Sequence, residues 1–165
     1  MRRLINPRRW PLLALATSGL VLGAAHAFER FGGYAPCLLC LRQREAYWTA
    51  GALAIAVSVA GRLRPGLAAG GCAALALAFL YGAGLAGYHA GVEWGFWPGP
   101  AACAVGGAGS LSSDAVAAAL GAVQRAPSCA EAPWRVAGLS MAGYNAVVSL
   151  MLALASAFAA TRRSV

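Results

Sequence analysis

The stretch PGLAAGGCAALALAFLYGAGLAGYHAGV, residues 65–92, contains no charged side chain. A helix that crosses a bilayer needs about 20 predominantly apolar residues, with a range of about 17 to 25. This stretch is long enough to span, and it has three companions. Residues 10–28, 46–61 and 136–161 are also free of charge. The second of these is short. It reaches span length by extending toward Arg44 and Glu45, which snorkel at the interface; a re-entrant segment is its other reading. Composition agrees with a lipid solvent. Of 165 residues, 60% are hydrophobic and 11% are charged, with a mean hydropathy of +0.64, whereas a soluble domain is about 25% charged. The expected fold is all-α: one membrane domain over 1–165, a bundle of four transmembrane helices at about 10–28, 45–61, 66–91 and 136–160.

All 13 basic residues are arginine, and the formal net charge is +8. In a soluble protein that balance would suggest nucleic acid. Here there is no basic stripe interleaved with aromatic residues, and nucleic acid is set aside as a partner. The distribution of charge says more than its sum. Arg2, Arg3, Arg8 and Arg9 precede the first run, Arg62 and Arg64 separate the second from the third, and Arg162 and Arg163 follow the fourth. No acid accompanies these eight. The other two connections hold Arg30, Arg42, Arg44, Arg125 and Arg135 with all five acids, Glu29, Glu45, Glu93, Asp114 and Glu131. The positive-inside rule assigns the arginine-only side to the cytoplasm. Both termini are then cytoplasmic, and the connections at about 29–44 and 92–135 lie outside. Ala25-His26-Ala27 after the first run also resembles a signal-peptide cleavage site, and cleavage there would leave the outer loops where they are.

Four of the five cysteines fall in the two outer loops: Cys37 and Cys40 in the first, Cys103 and Cys129 in the second. Cys72, inside the third apolar run, reads as a small buried hydrophobe. Disulfides persist outside the cytoplasm, and an even number of cysteines there suggests pairing. Three chemistries compete. Two structural disulfides are one, and a Cys103–Cys129 bridge would restrain the unfolded chain by about 3–4 kcal/mol. A zinc site is another, but only half of its usual double C-x-x-C signature is present. A redox dithiol is the third, and the surroundings of Cys37 and Cys40 favour it. Cys40 lies at the N-terminal end of the second helix, where backbone N–H groups and the helix dipole favour a thiolate. Arg44, four residues on, is on the same helical face. Both effects lower a thiol pKa. No nucleotide-binding glycine pattern exists in the chain, which leaves a lipid-soluble quinone as the natural electron acceptor for a thiol pair at membrane depth.

In the second outer loop, Trp94, Phe96 and Trp97 suit the headgroup belt. Residues 112–125, SSDAVAAALGAVQR, read as a short amphipathic helix with Ser112 or Ser113 as cap and Asp114 in its first turn. Val116, Ala119, Leu120 and Val123 form one stripe that can lie on the bilayer surface. His89, beside Tyr88 at the outer end of the third run, is a candidate quinone contact.

Taken together, these residues resemble the DsbB family of disulfide-bond formation proteins. The likeness rests on Pro36, Cys37, Leu39, Cys40 and Arg44 between the first and second spans. It rests also on one cysteine early and one late in a long second outer loop, and on "CAEAPW…GLSMAGYN" before the last span. It implies an inner-membrane thiol oxidase with periplasmic redox loops. Cys103 would form the mixed disulfide with a periplasmic DsbA-like thioredoxin-fold protein. Cys129 would be its loop partner and exchange with Cys37, and Cys40 would sit next to the quinone (ubiquinone or menaquinone). Arg44 would be the quinone-side cation and His89 a quinone contact. The resemblance implies no resident metal. The competing reading is a four-helix membrane protein with structural disulfides or a cysteine metal site and no oxidase activity.

Overall fold

A computed structural model describes residues 5–100, 103 and 128–162. Four long helices dominate it: α1, Trp10–Gly32; α2, Leu38–Leu63; α3, Leu67–Glu93; and α4, Met141–Ala160. They contain 23, 26, 27 and 20 residues, and each is long and apolar enough to cross a membrane. At a rise of about 1.5 Å per residue, even α4 is about 30 Å long, the thickness of the hydrocarbon core. The protein is a multi-pass α-helical membrane protein. The amphipathic helix expected over 112–125 lies outside the described residues.

Local chemistry sets the helix ends. Pro11 occupies the first turn of α1, and Gly33, at φ 70°, ends that helix in the left-handed region. Arg64-Pro65-Gly66 breaks the chain between α2 and α3. α2 is one continuous helix from Leu38, so the short second apolar run gains its length at the N-terminal side. At the fourth run the uncharged stretch and the helix differ. Two short strands, β1 (Arg135–Val136) and β2 (Leu139–Ser140), pair antiparallel across Ala137 and Gly138, both at positive φ. The helix starts only at Met141, where the Ser140 hydroxyl accepts the Gly143 N–H at 3.1 Å.

α3 is central, packing extensively on α2 and α4, while α1 packs on α2 and barely touches α4. The core joins Trp10, Leu22, Tyr47, Leu75, Phe79 and Leu152 to a floor of alanines. Small residues let the helices approach closely. A side chain on Gly71 of α3 would overlap Val57 of α2. Trp10 Nε1 donates to Ser156 Oγ at 2.8 Å, tying the start of α1 to the C-terminal part of α4. Cys72 is fully buried, its thiol directed at the Pro7 carbonyl, as expected of a small core residue. The outer surface carries large apolar side chains such as Leu20, 74% exposed, and Leu77, 69% exposed, which suits lipid rather than water.

Candidate functional site

The site is built on the first turn of α2. Ala35 and Pro36 lead in, and Cys37 takes the N-cap position at φ −76°, ψ 172°. Its Sγ accepts the backbone N–H of Cys40 at 3.3 Å, a sulfur in the place an oxygen normally fills. It lies 2.8 Å from Cys40 Sγ and 3.6 Å from His89 Nε2. The Cys40 thiol and then His89 hold the Cys37 thiol well below its ordinary value of 9.0, against burial, which alone would raise it. The preference of a helix N-terminus for negative charge acts in the same direction. From sequence, the thiolate-favouring helix end was expected to act on Cys40. In the structure the capping sulfur is Cys37, because the helix starts one residue after it. Arg44, on the same helix as Cys40, makes its hydrogen bonds to α1. Its Nη1 is 2.5 Å from Glu29 Oε2 and its Nη2 is 3.2 Å from the Ala25 carbonyl, both on α1.

The second cysteine pair comes to the same place. Cys103 and Cys129 form a disulfide with Cα atoms 5.6 Å apart. They share one buried cluster with Cys37, Leu39 and Val92, against which Cys40 and Leu85 pack. Cys37 and Cys40 are free thiols. A dithiol therefore sits beside a disulfide.

Cys40 also lines a cavity of about 260 Å³ on the side where α1 and α4 stand apart. Its walls are mostly apolar and aromatic, with Phe28, Tyr34, Trp134 and Tyr144 among them and Arg44 at the same wall as Cys40. The Trp134 ring packs on Phe28 and Tyr144 at centroid distances of 5.9 and 6.0 Å. The Trp134 Nε1–H is buried with no hydrogen-bond partner. Cys40 and His89 line the cavity and Cys37 does not, so Cys40 borders both the cavity and the cluster that holds Cys37 and the loop disulfide.

Behind the thiols runs a polar network that the sequence reading missed. Gln43 and Tyr47 of α2, His89 and Glu93 of α3, and Asn145 and Ser149 of α4 are three pairs at i, i+4, each on one face of its helix. Gln43 Nε2 is 2.7 Å from His89 Nδ1, and Gln43 Oε1 accepts from Asn145 Nδ2 at 2.5 Å. The Tyr47 hydroxyl is 2.8 Å from both Asn145 Oδ1 and Ser149 Oγ. Glu93, almost wholly buried, lies 3.7 Å from His89 Nε2 and accepts from the Ser140 hydroxyl. The signal available in the sequence was polarity itself, since Gln43, Asn145 and Glu93 lie in or beside apolar runs, where polar side chains mark function by default. Cys37, Cys40 and His89 also form the one group of three possible metal donors found among the described residues, their ligand atoms within 4.8 Å of one another.

Fold and site together define a class: a multi-pass membrane protein that carries a thiol pair beside a disulfide, an arrangement for thiol–disulfide exchange. The profile of the family described as disulfide bond formation protein DsbB matches residues 7–159, and the chain belongs to that family. It is thus a membrane disulfide bond formation protein. Neither the curated proteins nor the solved structures gave a match.

Proposed function

We propose that the chain is a thiol:quinone oxidoreductase of the bacterial inner membrane that reoxidises a periplasmic DsbA-like dithiol. The observation that carries this reading is the place of Cys37 and Cys40, between the Cys103–Cys129 disulfide and the aromatic cavity. In the first exchange, a partner thiolate attacks Cys103, and Cys129 leaves as thiolate. The partner's second thiolate then displaces Cys103, so the partner becomes a disulfide and the loop pair a dithiol. Cys129 next attacks Cys37 of an oxidised Cys37–Cys40 pair, and Cys103 resolves that bond. A quinone in the cavity would supply the sink, taking two electrons and two protons as the Cys37–Cys40 bond re-forms. Against a partner near −120 mV the acceptor must lie at a higher potential, which suits ubiquinone or menaquinone.

The residues fit a quinone. An apolar cavity with aromatic walls and a few polar groups matches a planar, lipid-borne ring. The unpartnered Trp134 Nε1–H and the Arg44 guanidinium are donors for carbonyl oxygens. The topology proposed with this reading puts both termini in the cytoplasm and both redox loops in the periplasm.

The Cys37–Cys40–His89 donor group favours one second reading, a site for a thiophilic ion. It leaves the neighbouring disulfide and the cavity unexplained. Thiol trapping in isolated, reduced membranes separates the readings. An oxidase re-forms both disulfides on adding quinone. A metal site masks Cys37 and Cys40 without oxidising them, and a purely structural protein does neither.

A further inference from the structure

The orientation of Gln43 follows from its neighbours. Its Nε2 lies 3.3 Å from the backbone carbonyl of Leu39, which only accepts, so that end of the amide is the NH₂ group. Its Oε1 then faces Asn145 Nδ2, and Asn145 Oδ1 faces the Tyr47 hydroxyl. In this orientation Gln43 presents a donor to His89 Nδ1 at 2.7 Å. Nδ1 must offer its lone pair, which puts the ring hydrogen of the neutral imidazole on Nε2. That nitrogen is the one facing Cys37 Sγ at 3.6 Å and Glu93 Oε1 at 3.7 Å.

We propose that Gln43 is a positioning residue that holds His89 as its neutral Nε2–H tautomer, so that His89 gives the Cys37 sulfur a hydrogen bond. A second proton on Nδ1 would oppose the Gln43 amide, and in this tautomer Nε2 lacks the lone pair that a metal would need. The other titratable groups gathered here are Cys37 and Cys40 at the start of α2, Arg44 and Tyr47 further along it, and Glu93 on α3. Arg44 is engaged by Glu29, and Glu93 by Ser140. The consequence for thiol chemistry rests on the oxidase reading; the tautomer does not.

The chain has two histidines, and the second is an internal control. His26 Nδ1 lies 2.8 Å from the Leu22 carbonyl, so His26 carries its hydrogen on Nδ1, the opposite tautomer. Nitrogen-15 spectra of histidine-labelled, reduced, full-length protein in detergent micelles read both rings, and His26→Gln assigns them. At neutral pH the expected result is a protonated Nε2 and a bare Nδ1 for His89. Gln43→Glu turns the donor into an acceptor and should move the His89 hydrogen to Nδ1. Gln43→Leu should raise the midpoint of the Cys37 thiolate absorbance by about one pH unit, a tenfold loss of thiolate preference. A wild-type His89 with hydrogen on Nδ1, or an imidazolium, overturns the proposal, as does a Gln43→Glu protein whose His89 signals are unchanged. The wild-type spectrum decides even if the variants misfold. A protein that shows the expected tautomer but reduces no quinone would leave this inference standing and remove the oxidase reading.

Discussion

Arg44 of α2 is bound by Glu29 of α1, Nη1 to Oε2 at 2.5 Å, at the wall of the aromatic cavity. The cation is held in place from outside the thiol pair. Its arrangement resembles a positioned donor more than a free anchor. A lysine keeps the charge but loses the planar fork that reaches Glu29 and the Ala25 carbonyl together. We expect Arg44→Lys to insert normally and raise the apparent KM for quinone several-fold. Arg44→Ala should lower kcat/KM by about 10- to 100-fold, the range of a charge-assisted bond of about 1.5–3 kcal/mol. Arg42 is the control. Its pair with Glu45 is exposed, 59% and 62% for the two side chains, and such pairs contribute about 0–1 kcal/mol. Equal steady-state kinetics for Arg44→Ala and Arg42→Ala would reduce Arg44 to an anchor.

The Cys37 thiol titrates below its ordinary 9.0 because Cys40 and His89 donate toward its sulfur. A folded value below the unfolded one adds stability to the reduced protein. That increment is complete above about pH 9 and is lost as pH falls through the folded value. Alkylation of Cys37 in the folded, reduced protein should therefore stay near its plateau well below pH 9. The denatured chain should slow tenfold per unit below that pH. His89→Ala should move the folded curve upward, and coincident folded and denatured curves would remove the thiolate assignment.

The two cysteine pairs divide the work in the proposed relay. Cys103→Ala should abolish oxidation of a reduced DsbA-like substrate while quinone still oxidises Cys37 and Cys40 at a near-normal rate. Replacing Cys129 removes the resolving thiol, so a mixed disulfide with the partner should accumulate on non-reducing gels. Normal substrate oxidation by Cys103→Ala would show that the loop pair is bypassed.

Trp134 offers a separation of binding from stability. Its Nε1–H is buried and unpartnered, so deleting it leaves no bond broken in the fold. Trp134→Phe should unfold at the same or a slightly higher temperature, yet raise the KM for quinone about fivefold, the loss of one bond of about 1 kcal/mol. A variant with unchanged KM would exclude the indole from the quinone site.

The contact between Gly71 and Val57 tests the packing of α2 on α3. Gly71→Leu should lower the thermal midpoint of detergent-solubilised protein, corresponding to an overpacking cost of about 1–3 kcal/mol. Val57→Ala in the same chain should restore part of it. Full stability of the single variant would mean that the helices are farther apart than described.

Hydropathy and charge are properties of single residues summed along the chain, so the number of spans was legible in the sequence before any contact was known. The Cys37–Cys40 pair was equally legible, because its spacing within one helical turn makes it local. The hairpin of residues 135–140 was not. Val136 and Leu139 are as apolar as a span, and only the positive-φ turn at Ala137 and Gly138 delays the helix to Met141. The partners of the site residues also needed the tertiary structure. Which sulfur caps α2 depends on one residue of helix start. Whether Arg44 meets a thiol or Glu29 depends on how α1 is rotated against α2. That Gln43, His89 and Asn145 touch depends on the register of three helices. Rotation and register are set by small residues interlocking across helices far apart in sequence, and an apolar run records that a helix is buried in lipid without recording which face meets its neighbour.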